Sequence, residues 1–140
     1  MTPFEWPLRV YIEDTDAGGI VYYANYLKFF ERARSEWLRG LGFSQHELLE
    51  QGVRFVVRDL TIRYRSPALL DEEIVVTACI TEVGRAGMTL NQSALRRSEH
   101  ADEILASAEV RLACINDAGR PMAIPVGIHQ LLTPVLPEQS

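Results

Sequence analysis

Three carboxylates, Glu13, Asp14 and Asp16, fall within four positions, directly ahead of Gly18 and Gly19. Such a cluster can shape a turn, cap a following helix, hold a hard divalent cation, or supply a base or nucleophile. The cation reading lacks the other ligands of a calcium-loop pattern. The setting suits acyl transfer. A strand-like run, "LRVYI", ends near Ile12, and helical spacing begins near Tyr22. Glycines between them allow positive φ and close backbone approach. The first N–H groups of a helix have no intrahelical partner and carry the positive end of its dipole. Such donors polarise a carbonyl and hold a developing oxyanion. A nearby carboxylate activates water or attacks the carbonyl itself. By spacing alone the cap and the acyl-transfer site both stand, and caps are the commoner use of such residues.

The elements that would position this segment follow from hydrophobic period. Tyr22, Tyr26, Phe29, Phe30, Ala33 and Trp37 recur at intervals of three and four, which is one face of a helix from Tyr22 to about Arg39. Glu31, Arg32, Arg34, Ser35 and Arg39 lie mostly off that stripe, and Gly40 and Gly42 end it. "SQHELLEQG" reads as a second, short helix with Ser44 as N-cap and Glu47 completing a capping box. Beyond Gly52 the period becomes two. Val56, Leu60, Ile62 and Tyr64 share a face that Arg58 interrupts, and Ile74, Val76, Ala78 and Ile80 share another. "MTLNQSALRR" is a less clearly patterned strand. In "ILASAEVRLACI" the residues Ile104, Ala106, Ala108, Val110, Leu112 and Cys114 point one way. "EVGRAG", "EHADE" and "NDAGRP" are turns, and the remainder reads as a short edge segment and a loose tail from about residue 134. Strands joined by short turns pair antiparallel. The expectation is therefore one α+β domain over residues 1–140, with an antiparallel sheet of about five strands wrapped around a long helix.

Composition narrows the partners. With 47% hydrophobic residues the chain can bury a real core, and its net charge of −5 argues against nucleic acid. The N-terminus shows no signal-peptide pattern, and no run approaches the ~20 apolar residues of a membrane helix, so a cytoplasmic location is expected. Cys79 and Cys114 are too few and too far apart for a metal knuckle or a disulfide framework and are expected as buried thiols. There is no phosphate loop, no G-x-S-x-G and no H-E-x-x-H. His46, His100 and His129 are scattered over predicted surface elements.

The segment "VYIEDTDAGGIVYYANYLKFFERAR" closely resembles the signature of the hot-dog-fold acyl-CoA thioesterases of the 4-hydroxybenzoyl-CoA thioesterase family. It is nearest the Tol–Pal-associated YbgC branch, and the resemblance continues through "FVVRDLTIRYRSPALLDE" and "AEVRLACIN". The D-x-D-x-x-G-x-V-Y-x-x-x-Y core is long and specific. The resemblance implies a hot-dog fold, with the long helix as the filling and the sheet as the bun. It implies Asp16 as the catalytic carboxylate and the Tyr23 backbone N–H as the donor to the thioester carbonyl, with Gly19 and Tyr22 nearby. Asp14 then holds the loop, Asn25 helps shape the site, and Glu31 is a secondary candidate whose plainer role is a surface ion pair with Arg34 or a neighbouring strand. Arg65 and Arg85 are candidates for the coenzyme A phosphates, because guanidinium forks suit phosphate geometry. One departure stands out. Many members of that branch carry His where this chain has Tyr23. A role resting on the backbone N–H survives the change.

The resemblance further implies no cofactor beyond the coenzyme A of the substrate, no metal, and a homodimer or homotetramer, with an acyl carrier protein or Tol–Pal link by analogy. Two rivals accompany the thioesterase reading. A hydratase or dehydratase of the same fold would want a histidine paired with a carboxylate, and none lies in or near the motif. A non-catalytic acyl-binding module tied to envelope or lipid machinery would bind acyl-CoA without turnover.

Overall fold

The computed structural model describes residues 3–132. The expected tail from residue 134 lies outside them. Strands β1 (Phe4–Arg9), β2 (Arg54–Tyr64), β3 (Glu73–Val83), β4 (Gly87–Arg96) and β5 (Glu103–Ile115) form one antiparallel sheet in the order β1-β3-β4-β5-β2. Helix α1 (Asn25–Gly40) packs against β3, β1 and β4, and α2 (Gln45–Glu50) follows it. The α+β expectation holds: a five-stranded sheet covers one long helix.

The core lies between helix and sheet. Tyr26, Phe29, Phe30, Ala33, Trp37 and Leu38 are buried on α1 and meet Ile74, Val76, Ala78 and Ile80 of β3. Each large apolar side chain buried this way contributes about 1.5–3 kcal/mol. Gly42, at φ +105°, turns the chain out of the helix. The Ser44 hydroxyl accepts from the Glu47 N–H at 3.1 Å, so its half of the expected capping box is formed.

Several boundaries differ from the sequence expectation, each for a local reason. The first strand is Phe4–Arg9 rather than "LRVYI", and it contains Pro7. It is an edge strand, where a missing N–H costs no ladder bond. Residues Ile12–Asp14 form a 3-10 turn instead. The register of β2 slips between Val57 and Asp59, which makes Arg58 the extra residue of a bulge. Phe55 and Val57 therefore share the inner face with Leu60 and Ile62, and Val56 pairs with the outward Ala113. A second slip, between Ala94 and Leu95 on β4, buries Leu105 and leaves Ile104 41% exposed, the reverse of the expected alternation. The segment read as an edge and tail contains α3 (Val126–Leu132), seated by Ile124, Ile128 and Leu132 at four-residue intervals. Cys114 is buried, which pushes its thiol up, whereas Cys79 is only half-buried.

Arg34 departs most from expectation. It lies inside the helix–sheet interface, 8% exposed, and its Nη1 donates to Gln92 Oε1 at 3.0 Å. Gln92, 1% exposed on the inner face of β4, donates through Nε2 to the carbonyls of Phe30 (3.0 Å) and Thr77 (3.2 Å). Burial lowers the Arg34 pKa, and the Glu31 charge partly offsets that effect. The plain reading of Glu31 as an ion-pair partner of Arg34 therefore gives way to an exposed carboxylate acting on a buried guanidinium that hydrogen-bonds elsewhere.

Candidate active site

The acidic loop is a small hairpin built outside the sheet. Asp14 closes it at the base. Its Oδ2 accepts from the Tyr11 N–H at 2.9 Å, and its carbonyl accepts from the Tyr22 N–H (3.0 Å) and from Asn25 Nδ2 (2.8 Å). Thr15 bridges to Val21, and the Asp16 N–H donates to the Ile20 carbonyl at 3.0 Å. Gly19, at φ +78°, makes the turn and donates its N–H to the Asp16 carbonyl at 3.1 Å. Asp16 thus stands on one arm, and the other arm leads through Tyr22 into Tyr23.

The Asp16 side chain is exposed and anchored on one side only. Its Oδ1 accepts from the Gly18 N–H at 2.8 Å, while Oδ2 has no donor among the described residues. A Cβ at Gly18 would sit 3.3 Å from Oδ1, so glycine there lets backbone and carboxylate approach. Among the described residues no group of three or more His, Cys, Asp or Glu is arranged to hold a metal ion. No helix of the described residues is long and apolar enough to cross a membrane.

The helix begins at Asn25, three residues later than its hydrophobic stripe implies. The amides of Asn25, Tyr26 and Leu27 donate to the carbonyls of Tyr22 (2.8 Å), Tyr23 (3.4 Å) and Ala24 (3.2 Å). Gly19 and Tyr22 have spent their N–H groups inside the hairpin. The N–H groups of Tyr23 and Ala24 have no acceptor among the described residues. The free donors therefore lie in the turn ahead of the helix, still within reach of its positive end. Of the expected neighbours of Tyr23, neither Gly19 nor Tyr22 has an amide to spare, and Ala24, which spacing did not single out, has one.

Aromatic rings fix this turn. The Tyr64 hydroxyl, from the end of β2, donates to the Tyr23 carbonyl at 3.0 Å. The two rings meet edge to face with centroids 6.0 Å apart. Tyr64 also lies 5.6 Å from Tyr26, and Tyr22 lies 4.9 Å from Tyr23. One helical turn further on, a cavity of about 550 Å³ opens between α1 and β2. Leu27, Trp37, Phe55, Leu60 and Leu112 give it apolar walls, and Glu31 and Arg34 lie on its polar side.

Comparison with known proteins bears directly on this arrangement. The family model described as the thioesterase-like superfamily matches residues 10–136, which includes the whole hairpin and four of the five strands, β2 to β5. The chain belongs to the thioesterase-like superfamily. It is 46% identical over 125 residues to an acyl-CoA thioesterase YbgC of Haemophilus influenzae, covering 87% of this chain and 88% of the relative. It is 41% identical over 128 residues to the acyl-CoA thioester hydrolase YbgC of Escherichia coli, covering 91% and 93%. A solved probable thioesterase of Bartonella henselae superposes with a TM-score of 0.80 at 37% identity, covering 89% of this chain and 100% of that one.

Within this thioesterase-like chain the remaining expected residues divide. Asn25 is at the site, but its amide nitrogen is engaged by Asp14, so it braces the loop. Arg65 follows Tyr64 and is exposed at the same end of the molecule. Arg85 does not join them. It lies in the hairpin after β3, and the eleven residues of that strand span roughly 33 Å at about 3.3 Å per residue. Its carbonyl there accepts from the Ile124 N–H at 2.8 Å. Tyr64 is the neighbour that sequence reasoning missed as a site residue. Its only signal was its place at the end of a strand pattern.

Proposed function

We propose that the Asp16 carboxylate and the Tyr23 N–H carry the hydrolysis of acyl-CoA thioesters, releasing the free acid and coenzyme A. This chain is an acyl-CoA thioesterase, in keeping with its superfamily and with its YbgC relatives. One observation supports the assignment of roles above the others. A carboxylate held by one oxygen, with the second free, shares a hairpin with unspent backbone amides. The Tyr23 N–H polarises the thioester carbonyl and takes the charge that develops on its oxygen. Asp16 either removes a proton from the attacking water or attacks the carbonyl carbon itself. In the second route a mixed anhydride forms as the coenzyme A thiolate leaves, and water then cleaves the anhydride.

The cavity beyond Leu27 would receive the acyl group. Strand β2 is an edge of the sheet, with Val57 48% and Tyr64 45% exposed along it. Such an edge offers unpaired backbone groups to a further strand. A second copy adding its β2 there would give a continuous sheet and close the rim of the cavity, so the working unit in this reading is a homodimer acting in the cytoplasm.

The test is a panel of acyl-CoA thioesters, short and long, aliphatic and aromatic, with a thiol reagent reporting free coenzyme A. Turnover of at least one class is the expected result. Tight binding of acyl-CoA with no release of thiol on any member would overturn the hydrolase reading. A trapped acyl-enzyme anhydride would select the nucleophilic route.

A further inference from the structure

The catalytic hairpin forms no ladder with any of the five strands. It is held by the turn between β2 and β3. Gly19 accepts from the Leu70 N–H at 3.1 Å, Ile20 bridges to Leu69, and the Val21 N–H donates to the Ala68 carbonyl at 2.9 Å. The same turn reaches α1, because the Ala68 N–H donates to the Tyr26 hydroxyl at 3.3 Å. It also reaches the end of β1, where the Asp71 N–H donates to Val10 and the Val10 N–H donates to Glu72, both at 2.9 Å. Whatever fixes this turn fixes the loop that carries Asp16.

The turn is not self-sufficient. Asp71 adopts φ +68°, a left-handed conformation that costs free energy in a residue with a side chain. Arg9 holds its exposed side, Nη1 donating to the Asp71 carbonyl at 2.6 Å, and Arg96 clamps it from the sheet. Arg96, at the end of β4, meets Glu72 with a fork: Nε donates to Oε2 at 2.5 Å and Nη2 to Oε1 at 2.9 Å. Nη2 also donates to the Pro67 carbonyl at 3.0 Å, and Nη1 donates to Glu103 Oε2 at 2.7 Å. Glu72 Oε1 accepts in addition from the Leu69 N–H at 3.2 Å. The pair is mostly screened from solvent, with side chains 27% and 20% exposed. A planar fork fixes its partner in direction as well as distance, which a lysine does not. The sheet thus holds the turn through Arg96 and Glu72, and the turn holds the hairpin through Gly19, Ile20 and Val21.

We propose that Arg96 is a positioning residue for thioester hydrolysis. Through Glu72 it sets the 67–72 turn, and through that turn the placement of Asp16 against the free amides of Tyr23 and Ala24. The inference rests on the reading of Asp16 as the catalytic carboxylate. Arg96 lies eighty positions from Asp16 in the chain, on a strand that makes no hydrogen bond to the hairpin among the described residues.

The experiment compares the full-length wild type with Arg96→Met, Arg96→Lys and a neighbouring control, Arg97→Met. Arg97 pairs with Glu5 and Asp102 and makes no bond to the turn. Two quantities are read: kcat and KM for an acyl-CoA substrate, and hydrogen exchange of the Val21 and Leu70 amides. In Arg96→Met, kcat falls about ten- to a hundredfold with KM little changed, as expected for small misplacement of a reacting group. Exchange at Val21 and Leu70 speeds by at least about tenfold, since local opening is set by local contacts. Arg96→Lys, which keeps the charge and loses the fork, lies between and secures a folded variant. Arg97→Met leaves both quantities as in the wild type. Unchanged exchange in both Arg96 variants overturns the proposal, and so does faster exchange with wild-type kcat. Should Asp16→Asn keep full activity, the reading of Asp16 fails by itself, while the exchange data still decide whether Arg96 holds the loop.

Discussion

The Tyr64 hydroxyl donates to the Tyr23 carbonyl at 3.0 Å and so joins the end of an edge strand to the turn that presents the free amides. The bond comes from a residue forty-one positions away. The bonded carbonyl shares its planar peptide unit with the Ala24 N–H and lies in the same residue as the Tyr23 N–H, the proposed oxyanion donor. Tyr64→Phe keeps the ring contacts and removes only the hydroxyl. A loss of stability of about 0.5–1.5 kcal/mol is expected for one such bond. A fall in kcat should accompany it, larger than the fall in affinity for substrate. Denaturant unfolding and steady-state kinetics on the same preparation check both.

Ala24 and Tyr23 both present an unspent N–H, and that of Tyr23 is the proposed oxyanion donor. Ala24 has φ −69°, close to the value a proline ring imposes, and its N–H makes no bond among the described residues. Ala24→Pro therefore removes one candidate donor, at a cost in the Tyr22–Asn25 turn that the thermal midpoint reads. Activity near the wild-type level is expected. A fall of about 10²–10³-fold, the usual cost of a lost oxyanion donor, with the fold intact by circular dichroism, would transfer the role to Ala24.

Arg96 pulls the pKa of Glu72 and of Glu103 below the ordinary glutamate range, chiefly by hydrogen bonding to each. A carboxylate whose folded pKa is depressed stabilises the fold above its unfolded pKa. That contribution disappears as pH falls through the folded value. Thermal midpoints should therefore drop as the solution is acidified below the ordinary carboxylate range. Glu72→Gln should lower the midpoint at neutral pH and flatten its decline in acid. A melting series for both proteins checks this, and parallel pH curves would contradict it.

Much of the fold was legible because period carries it. Ile74, Val76, Ala78 and Ile80 alternate without a break, and β3 is where they are. The exceptions come from backbone irregularities that period cannot express. The bulge at Arg58 and the slip opposite Leu105 each move one residue across the sheet and reverse the faces beyond it. Arg34 and Gln92 look like surface residues by type. They are buried because they satisfy one another and two carbonyls, a pairing that no local pattern shows. At the site, the motif singled out Asp16, Asp14, Tyr23 and Asn25, all within one hairpin and its helix start. Tyr64, Glu72 and Arg96 reach that hairpin from other strands and turns, so only the folded chain brings them to it.

The central claim is that Asp16 does the chemistry, and Asp16→Asn tests it most directly. Asparagine keeps the Oδ1 acceptor that the Gly18 N–H uses, so the hairpin should persist and the thermal midpoint should hold. It removes the charge and the basicity that either route requires. With an acyl-CoA substrate that the wild type hydrolyses, kcat in the variant should fall on the order of 10²–10⁴-fold. Wild-type turnover by a folded Asp16→Asn protein would contradict the account.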